Sequence, residues 1–437
     1  MRKNLPGWIQ GPLRRGLFSF EQFSRHEMAN HASAGAYAFL LSAFPAILIV
    51  LYGFSTLGKW LGWELAWVVS ILSPYLESFG GTELFIDLLA RPLSGWAGIF
   101  GFLNLVWTSR LLILSIQRGI RVIYSSPSRD SAFRENLLTI AIELVSLVAL
   151  IVILGMGQIL KLFFQSTGWF PMRRLLSGLV SLGISSLGPL SLWLFTFLTY
   201  LKVPAQKPAT KHALISSILC LGSYIGMSSL LGIILNTDRY GLLYGILGNL
   251  IGGLIRVYMF FWFYFFFAEL CYTLENYDSL LFARFHRIDT SGKTPKALER
   301  NLFSKPQRLF KKYAREFPAG STIFKKGDPC GEAYYLYKGK VAVFIEDPGT
   351  GVKPISVLKE GEFFGEMACI LKEPRTAWAI AQTDTTVFIL PSSMFKGLLN
   401  QDPHAATRMV ELLAARLSAN NEQFLTIKPL EKQNLQG

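Results

Sequence analysis

The chain has 437 residues, of which 51% are hydrophobic and 16% are charged, and its formal net charge is +14 at pH 7. The apolar residues concentrate before residue 275, and this excess excludes an ordinary soluble enzyme and indicates several membrane spans. Basic residues accumulate in the cytoplasmic loops of membrane proteins, so the positive charge needs no nucleic-acid partner, and we predict none.

Six apolar segments are long enough to cross about 30 Å of hydrocarbon as helices. They are residues 35–54, 96–117, 137–160, 176–201, 213–235 and 242–270. The segment 60–89 is apolar but carries four acidic residues, so we interpret it as an interfacial or extracytoplasmic helix pair. A seventh span over residues 61–75 stays open, and it would invert the orientation of everything downstream.

Basic loops set the orientation of these spans. Such loops precede the first span and separate the second from the third and the fourth from the fifth, so we place them in the cytoplasm. The loop that contains Lys161, Arg173 and Arg174 disagrees, because six spans would put it outside. An even number of spans leaves both termini in the cytoplasm.

Three charged residues fall inside the predicted spans. Arg110 in the second span and Glu143 in the third lie at similar depth, so a structural ion pair, or snorkelling by Arg110, accounts for them. Arg256 lies near the middle of the sixth span, where a charge is costly unless it is paired or hydrated. For Arg256, an anion or substrate path and a structural pair are equally open.

The chain becomes polar and basic after the last span. We interpret residues 276–316 as a juxtamembrane linker followed by a basic amphipathic helix over residues 296–313, which Pro306 would kink or split. This helix could lie on anionic headgroups or pack on the next domain.

Short strands separated by Gly, Asp and Pro turns follow from Phe317, which predicts an antiparallel barrel or jelly roll. The predicted strands are residues 322–324, 333–337, 340–345, 355–358, 378–381 and 386–390. Residues 402–420 then predict a helix, and a polar tail ends the chain.

A glycine turn near residue 365 carries the clearest chemical signal. Gly365 precedes the carboxylate of Glu366, and Arg375 lies nine residues after that glutamate. Backbone N–H groups and an arginine fork suit an anionic phosphate, and a nearby carboxylate suits a ribose hydroxyl. Through residues 319–328, 335–341 and 360–366, the segment 317–390 resembles a cyclic nucleotide-binding domain.

That resemblance implies a regulatory ligand, cAMP or cGMP, and a set of binding residues. Arg375 would pair with the cyclic phosphate, Glu366 would accept the ribose 2′-OH, and Thr376 permits cGMP without excluding cAMP. The helix over residues 402–420 would close over the base. The predicted binding residues are Phe364, Gly365, Glu366, Met367, Ala368, Arg375, Thr376 and Ala377.

The apolar region resembles the YihY/BrkB family, once labelled ribonuclease BN, through residues 36–45, 199–204, 244–248 and 268–270. Phe267 departs from the family pattern, in which glycine precedes the Ala-Glu pair. The resemblance implies an integral protein of the bacterial inner membrane whose activity is poorly defined.

The combined prediction is an α-helical membrane domain of about six spans joined to a C-terminal β-roll or jelly-roll cyclic nucleotide-binding domain with flanking helices. Its parts are a cytoplasmic segment 1–32, a membrane domain 33–275, a linker and helix 276–316, a nucleotide-binding domain 317–425 and a tail 426–437.

The predicted function is transport or permeation controlled by the nucleotide; the alternative is a non-transporting scaffold whose soluble domain recruits a partner. The four scattered cysteines, the five histidines and the carboxylates form no metal-ligand pattern, so we predict no metal and no enzyme. The expected partners are the lipid bilayer and the nucleotide, and a homo-oligomer is left open.

Overall fold

The computed structural model describes residues 7–42, 95–124, 188–234, 237–290, 306–329, 331–346 and 354–401, together with residues 303, 406–407, 409–411 and 414. The chain divides into two compact units. The helical unit is Arg15–Glu275, and the barrel unit is Met1–Arg14 with Asn276–Gly437.

Long helices form the described part of the helical unit. They are α1 (Gly7–Arg25, from Arg15 onward), α2 (Gly95–Tyr124), α3 (Thr210–Ile234) and α4 (Thr237–Glu275), and residues 28–42 and 188–202 are also helical. Helices α2, α3 and α4 cover the predicted second, fifth and sixth spans. The predicted third span, residues 137–160, and the segment 60–89 lie outside the described residues.

Two stretches of described helix are long and apolar enough to cross a membrane, judged by length and composition alone. They are Thr210–Ile234, which is α3, and Ile251–Glu275, which belongs to α4. On α3 the large aliphatic side chains are mostly exposed, as Ile218 and Ile233 are. An apolar surface of this kind is expected where a helix faces lipid rather than water.

Aromatic side chains of α4 build the core of the helical unit. Phe261, Tyr264 and Phe265 are buried there. The Phe261 ring lies 2.8 Å from the position that a Cβ on Gly35 would take, and the Phe265 ring occupies the corresponding position at Gly119. The two glycines therefore allow neighbouring helices to approach α4 closely.

The barrel unit contains two four-stranded antiparallel sheets, with strand orders β1-β8-β3-β6 and β2-β7-β4-β5. The strands are β1 (Ala314–Phe317), β2 (Thr322–Phe324), β3 (Glu332–Lys338), β4 (Val341–Phe344), β5 (Ser356–Leu358), β6 (Phe363–Phe364), β7 (Trp378–Ala381) and β8 (Thr385–Pro391). This confirms the predicted antiparallel architecture, although β1 and β6 were not predicted.

Four helices accompany the sheets: α5 (Tyr277–Thr290), α6 (Gln307–Tyr313), α7 (Glu366–Leu371) and α8 (Ser392–Gln401). Helix α5 lies where a linker was expected. Helix α6 starts directly after Pro306, which agrees with the predicted break, because proline lacks the N–H that a helix interior needs. Most of the predicted helix 402–420 lies outside the described residues, and α8 was not predicted.

Helices α5 and α6 pack on the sheet that contains β8. Phe282 and Phe285 of α5 and Phe310 of α6 all contact the ring of Phe388, with centroid distances of 5.7, 5.5 and 5.0 Å. The sequence left open whether the basic helix lies on anionic headgroups or packs on the next domain. Its described part, α6, packs on the barrel.

Asp278 links α5 to α6. Its carboxylate accepts hydrogen bonds from Arg308 Nε at 2.6 Å, Lys312 Nζ at 2.8 Å and the Tyr313 hydroxyl at 2.9 Å. Burial alone raises the pKa of this carboxyl, but the hydrogen bonds from Arg308, Lys312 and Tyr313 outweigh it, and the net pKa lies below the ordinary aspartate value. The ionised form of Asp278 therefore stabilises the contact between the two helices.

Candidate functional site

The turn between β6 and α7 requires a glycine at position 365. Gly365 has φ 67° and ψ 9°, the left-handed region that side chains disfavour. A Cβ there would also lie 2.5 Å from Nη1 of Arg375. The absence of a side chain thus lets the Arg375 guanidinium contact the backbone of the turn.

Arg375 is buried, with 5% of its surface exposed. Its Nη1 donates to the Gly365 carbonyl at 2.6 Å, and its Nη2 donates to the Glu332 carbonyl at 2.7 Å. These bonds use two of the five N–H donors of a guanidinium. The remaining donors lie in a planar group whose direction is already fixed, which is the geometry that suits a phosphate.

Backbone hydrogen bonds hold the segment that carries Arg375. Its N–H donates to the Asp328 carbonyl at 2.9 Å, and its own carbonyl accepts from the Gly327 N–H at 2.8 Å. The Asp328 carboxylate accepts from the Lys325 N–H at 2.8 Å and closes the turn. Backbone hydrogen bonds therefore fix the position of Arg375, in addition to the hydrogen bonds that its side chain makes.

Two aromatic rings, supported by a third, form a platform beneath the guanidinium. Cζ of Arg375 lies 4.5 Å from the ring centroid of Phe324 and 5.2 Å from that of Tyr334. The Tyr334 ring stacks on Phe364 with centroids 5.2 Å apart. Rings in this position attract the cation and exclude water from one of its faces. The sequence interpretation missed this platform, because strand spacing alone does not show which side chains meet across a sheet.

The other predicted binding residues differ in their exposure. Glu366, the first residue of α7, is 1% exposed, and an acidic residue is favourable at a helix N-terminus. Phe364 and Ala368 are buried, Ala377 is half-buried, and Met367 and Thr376 are exposed. The structure thus brings Gly365 and Arg375 into contact. The buried carboxylate of Glu366 directly follows Gly365 in the chain.

A second buried carboxylate lies in the helical unit and belongs to the Ala-Glu pair of the family pattern, to which the sequence analysis assigned no chemical role. Glu269 of α4 is 0% exposed, and its Oε1 lies 2.6 Å from Nδ1 of His26. These residues are separated by 243 positions, so no local pattern shows the pair. Glu27 has φ 52° and breaks the helix directly after His26, which separates α1 from the helical residues 28–42.

Helix α4 also contributes Glu275 to a second histidine–glutamate pair, whose histidine, His212, lies on α3. Nδ1 of His212 lies 2.9 Å from Oε2 of Glu275, whose side chain is 37% exposed. The same oxygen accepts the Ala209 N–H at 2.8 Å, directly before α3 begins. Glu275 therefore satisfies a backbone donor that the start of a helix leaves without an intrahelical partner.

Comparison with known families decides the classification. A family model described as "Virulence factor BrkB" matches residues 19–284, which is more than half of the chain. The chain belongs to the virulence factor BrkB family. A second model, described as "Cyclic nucleotide-binding domain", matches residues 314–402. This BrkB-family protein therefore contains both of the regions predicted from the sequence, joined in one chain.

Two curated relatives match a part of this BrkB-family chain. The cAMP-activated global transcriptional regulator CRP of Salmonella typhimurium is 30% identical over 112 residues, which are 25% of this chain and 53% of that protein. The cAMP-dependent protein kinase regulatory subunit of Aspergillus niger is 41% identical over 86 residues, 20% of each chain. The chain thus spans about half the length of the first relative and a fifth of the second.

A solved structure matches as well. The Catabolite Activator Protein of Thermus thermophilus is 26% identical, with a TM-score of 0.26, over 33% of this chain and 63% of that one.

The predicted intramembrane charges of the BrkB region are only partly described. Glu143 lies outside the described residues, so its pairing with Arg110, which is exposed, stays a prediction. Arg256 is half-buried, and its buried Nε has no hydrogen-bond partner within the described part of the chain. Within that same part, no group of three or more His, Cys, Asp or Glu residues could hold a metal.

Proposed function

We propose that this protein is a bacterial inner-membrane transport or permeation protein whose activity is set by cAMP or cGMP bound to its barrel unit. The observation that supports this most directly is Arg375, which is buried, stacked on aromatic rings and held against the Gly365 turn. The proposal assigns the protein no enzymatic activity.

In the proposed complex, Arg375 directs its remaining N–H donors at the exocyclic oxygens of the cyclic phosphate. The amides at the start of α7 add hydrogen bonds, and Glu366 accepts the ribose 2′-OH. Thr376 is exposed, so its hydroxyl is available to the ligand. Because a threonine hydroxyl serves a phosphate oxygen or a guanine equally well, both cAMP and cGMP remain candidates.

The proposed membrane domain has about six spans, with both termini in the cytoplasm and the bilayer as a partner. Family membership and the apolar character of α3 and of Ile251–Glu275 support this placement. The basic loops support the orientation, because loops rich in Lys and Arg remain in the cytoplasm.

Helix α5 is the proposed route of the signal. Along the chain only Asn276 separates it from α4, the proposed last span. On the barrel, His286 of α5 contacts the ring of Phe363 with centroids 5.2 Å apart, and Phe363 belongs to the strand that leads into Gly365. The nucleotide shifts the membrane domain only to the extent that it binds one arrangement of this contact more tightly than another.

Calorimetric titration of the full-length protein in lipid nanodiscs with cAMP and with cGMP tests the binding site. The full chain is required, because a shorter fragment that started at the predicted basic helix, at Lys296, would lack α5, which packs on the barrel. We expect micromolar or tighter binding that Arg375→Ala abolishes. The matched control is Arg315→Ala, an exposed arginine of β1 whose loss should leave binding unchanged. Equal affinity in wild type and Arg375→Ala would refute the site.

Flux through liposomes tests the transport function separately. Na⁺, K⁺, Cl⁻ and small organic anions serve as probes, each with and without the nucleotide that binds. A flux that the nucleotide changes, and that Arg375→Ala makes insensitive, is the expected result. A flux unchanged by nucleotide would refute the gating. No flux of any probe would favour the non-transporting scaffold that recruits a partner.

A further inference from the structure

The surroundings of Glu269 in the helical unit do not suit a lasting negative charge. The carboxylate is 0% exposed, and its neighbours along α4, Phe265, Ala268 and Tyr272, belong to the apolar core of the unit. One oxygen contacts His26, whereas Oε2 is buried and makes no hydrogen bond to any part of the chain that the structure describes. A buried ionised carboxylate with an unsatisfied oxygen is costly unless its charge is neutralised.

His26 is a partly exposed neighbour of this buried carboxylate. Its side chain is 17% exposed, and Nδ1 lies 2.6 Å from Oε1 of Glu269. An imidazole has two ring nitrogens that can each carry a proton, so it can accept one on one side and release another on the other. The distance between Nδ1 and Oε1 is that of a direct hydrogen bond.

Other charged and titratable groups act on the pair. Arg25 of α1 and Tyr124 of α2 interact electrostatically with Glu269. His31, on the helical residues 28–42, interacts with His26, with Glu27 and with Arg118 of α2. Arg25 and His31 are both cationic when charged, so they disfavour a net positive charge on the pair.

We propose that His26 and Glu269 form a proton-binding site in the helical unit, with Glu269 holding the proton and His26 exchanging it with water. In the deprotonated state, Nδ1–H of neutral His26 donates to the ionised Glu269. Uptake adds a proton to the other ring nitrogen, breaks the Nδ1–H bond and forms the Oε1–H bond. The pair then has no net charge. This proposal does not rest on nucleotide binding to the barrel unit.

The test is infrared difference spectroscopy of the full-length protein in lipid nanodiscs during a pH titration, which records the C=O stretch of protonated carboxyl groups. Glu269→Gln should remove a titrating band that wild type shows. Glu275→Gln is the matched control, because Glu275 lies on the same helix as Glu269 and also contacts a histidine, His212 of α3, but is 37% exposed, and this variant should keep that band. A band that survives Glu269→Gln, or that both variants lose, would overturn the proposal.

Two further variants keep the test decisive if Glu269→Gln folds poorly. Glu269→Asp retains a carboxyl but withdraws it from His26 by one methylene, so the band should persist with a shifted midpoint. His26→Gln should leave the band in place but slow its response to hydrogen–deuterium exchange. The role of His26 would be contradicted if Glu269→Asp kept the wild-type midpoint and His26→Gln kept the wild-type exchange rate.

Discussion

The barrel unit and the helical unit each bury an ionisable side chain, and they stabilise it in different ways. In the barrel unit, Arg375 donates to two backbone carbonyls and lies over two aromatic rings. In the helical unit, Glu269 contacts His26 through one oxygen, and the other makes no hydrogen bond within the described residues.

The difference determines which ligand each place favours. A guanidinium is a permanent cation, and contacts on several sides orient this one, so an anion can bind to a cation that is already in place. A buried carboxyl group with a single imidazole neighbour avoids the cost of a buried negative charge by holding a proton. The barrel unit is thus built to receive an anion, and the helical unit to receive a proton.

Arg375→Lys should produce the largest effect, because it keeps the charge but removes the planar fork. The ammonium group cannot satisfy the Gly365 and Glu332 carbonyls and a phosphate together. We expect nucleotide affinity to fall by about 2–3 kcal/mol, roughly 30- to 150-fold. Calorimetric titration measures this loss, and Arg315→Lys is the control. Unchanged affinity would mean that charge alone supports the ligand.

Gly365→Ala should destabilise the barrel unit more than Gly361→Ala. Both glycines have positive φ, 67° and 90°, so both substitutions add backbone strain of about 1–2 kcal/mol. A Cβ at Gly361 meets nothing within 4 Å, whereas one at Gly365 meets Arg375. Unfolding in denaturant should show a further loss of about 1 kcal/mol for Gly365→Ala. Equal losses would mean that Arg375 moves aside freely.

Asp278→Asn should destabilise the contact between α5 and α6 by about 1 kcal/mol at pH 7, since Arg308 and Lys312 are largely exposed and solvent screens the pairs. The folded-state pKa of Asp278 is lowered, so its stabilisation is complete above the unfolded value near pH 4. It disappears as pH falls through the folded value. Unfolding curves of wild type and variant should therefore converge in acid. A constant difference at all pH values would contradict this.

His212→Ala should give the smallest effect, because the pair with Glu275 is open to water. Glu275 keeps its hydrogen bond from Ala209 without the histidine. We expect a change in unfolding free energy of at most about 0.5 kcal/mol, measured by thermal unfolding. His26→Ala should cost more, since it leaves Glu269 buried without its neighbour. The reverse order would remove the contrast between the two pairs.

The sequence predicted the barrel unit better than the helical unit, for a physical reason. Its turns depend on local chemistry, so Gly365, Glu366 and Arg375 could be recognised within one short segment. Helix α5 was missed because its composition is mixed, and its apolar residues, such as Phe282, acquire meaning only against Phe388. The His26–Glu269 pair could not be predicted, because nothing near either residue specifies the other.

The close packing at Gly35 and Gly119 has a consequence for how the helical unit can move. Phenyl rings of α4 fill the space that side chains at these glycines would occupy. The helices that carry the glycines therefore pack closely against α4, with rings of one helix inserted into gaps of the other. Tightly packed interfaces shift between discrete arrangements instead of deforming continuously. Any displacement of α4 is therefore expected to occur in steps, and a response that depends on it should be all-or-none in each molecule.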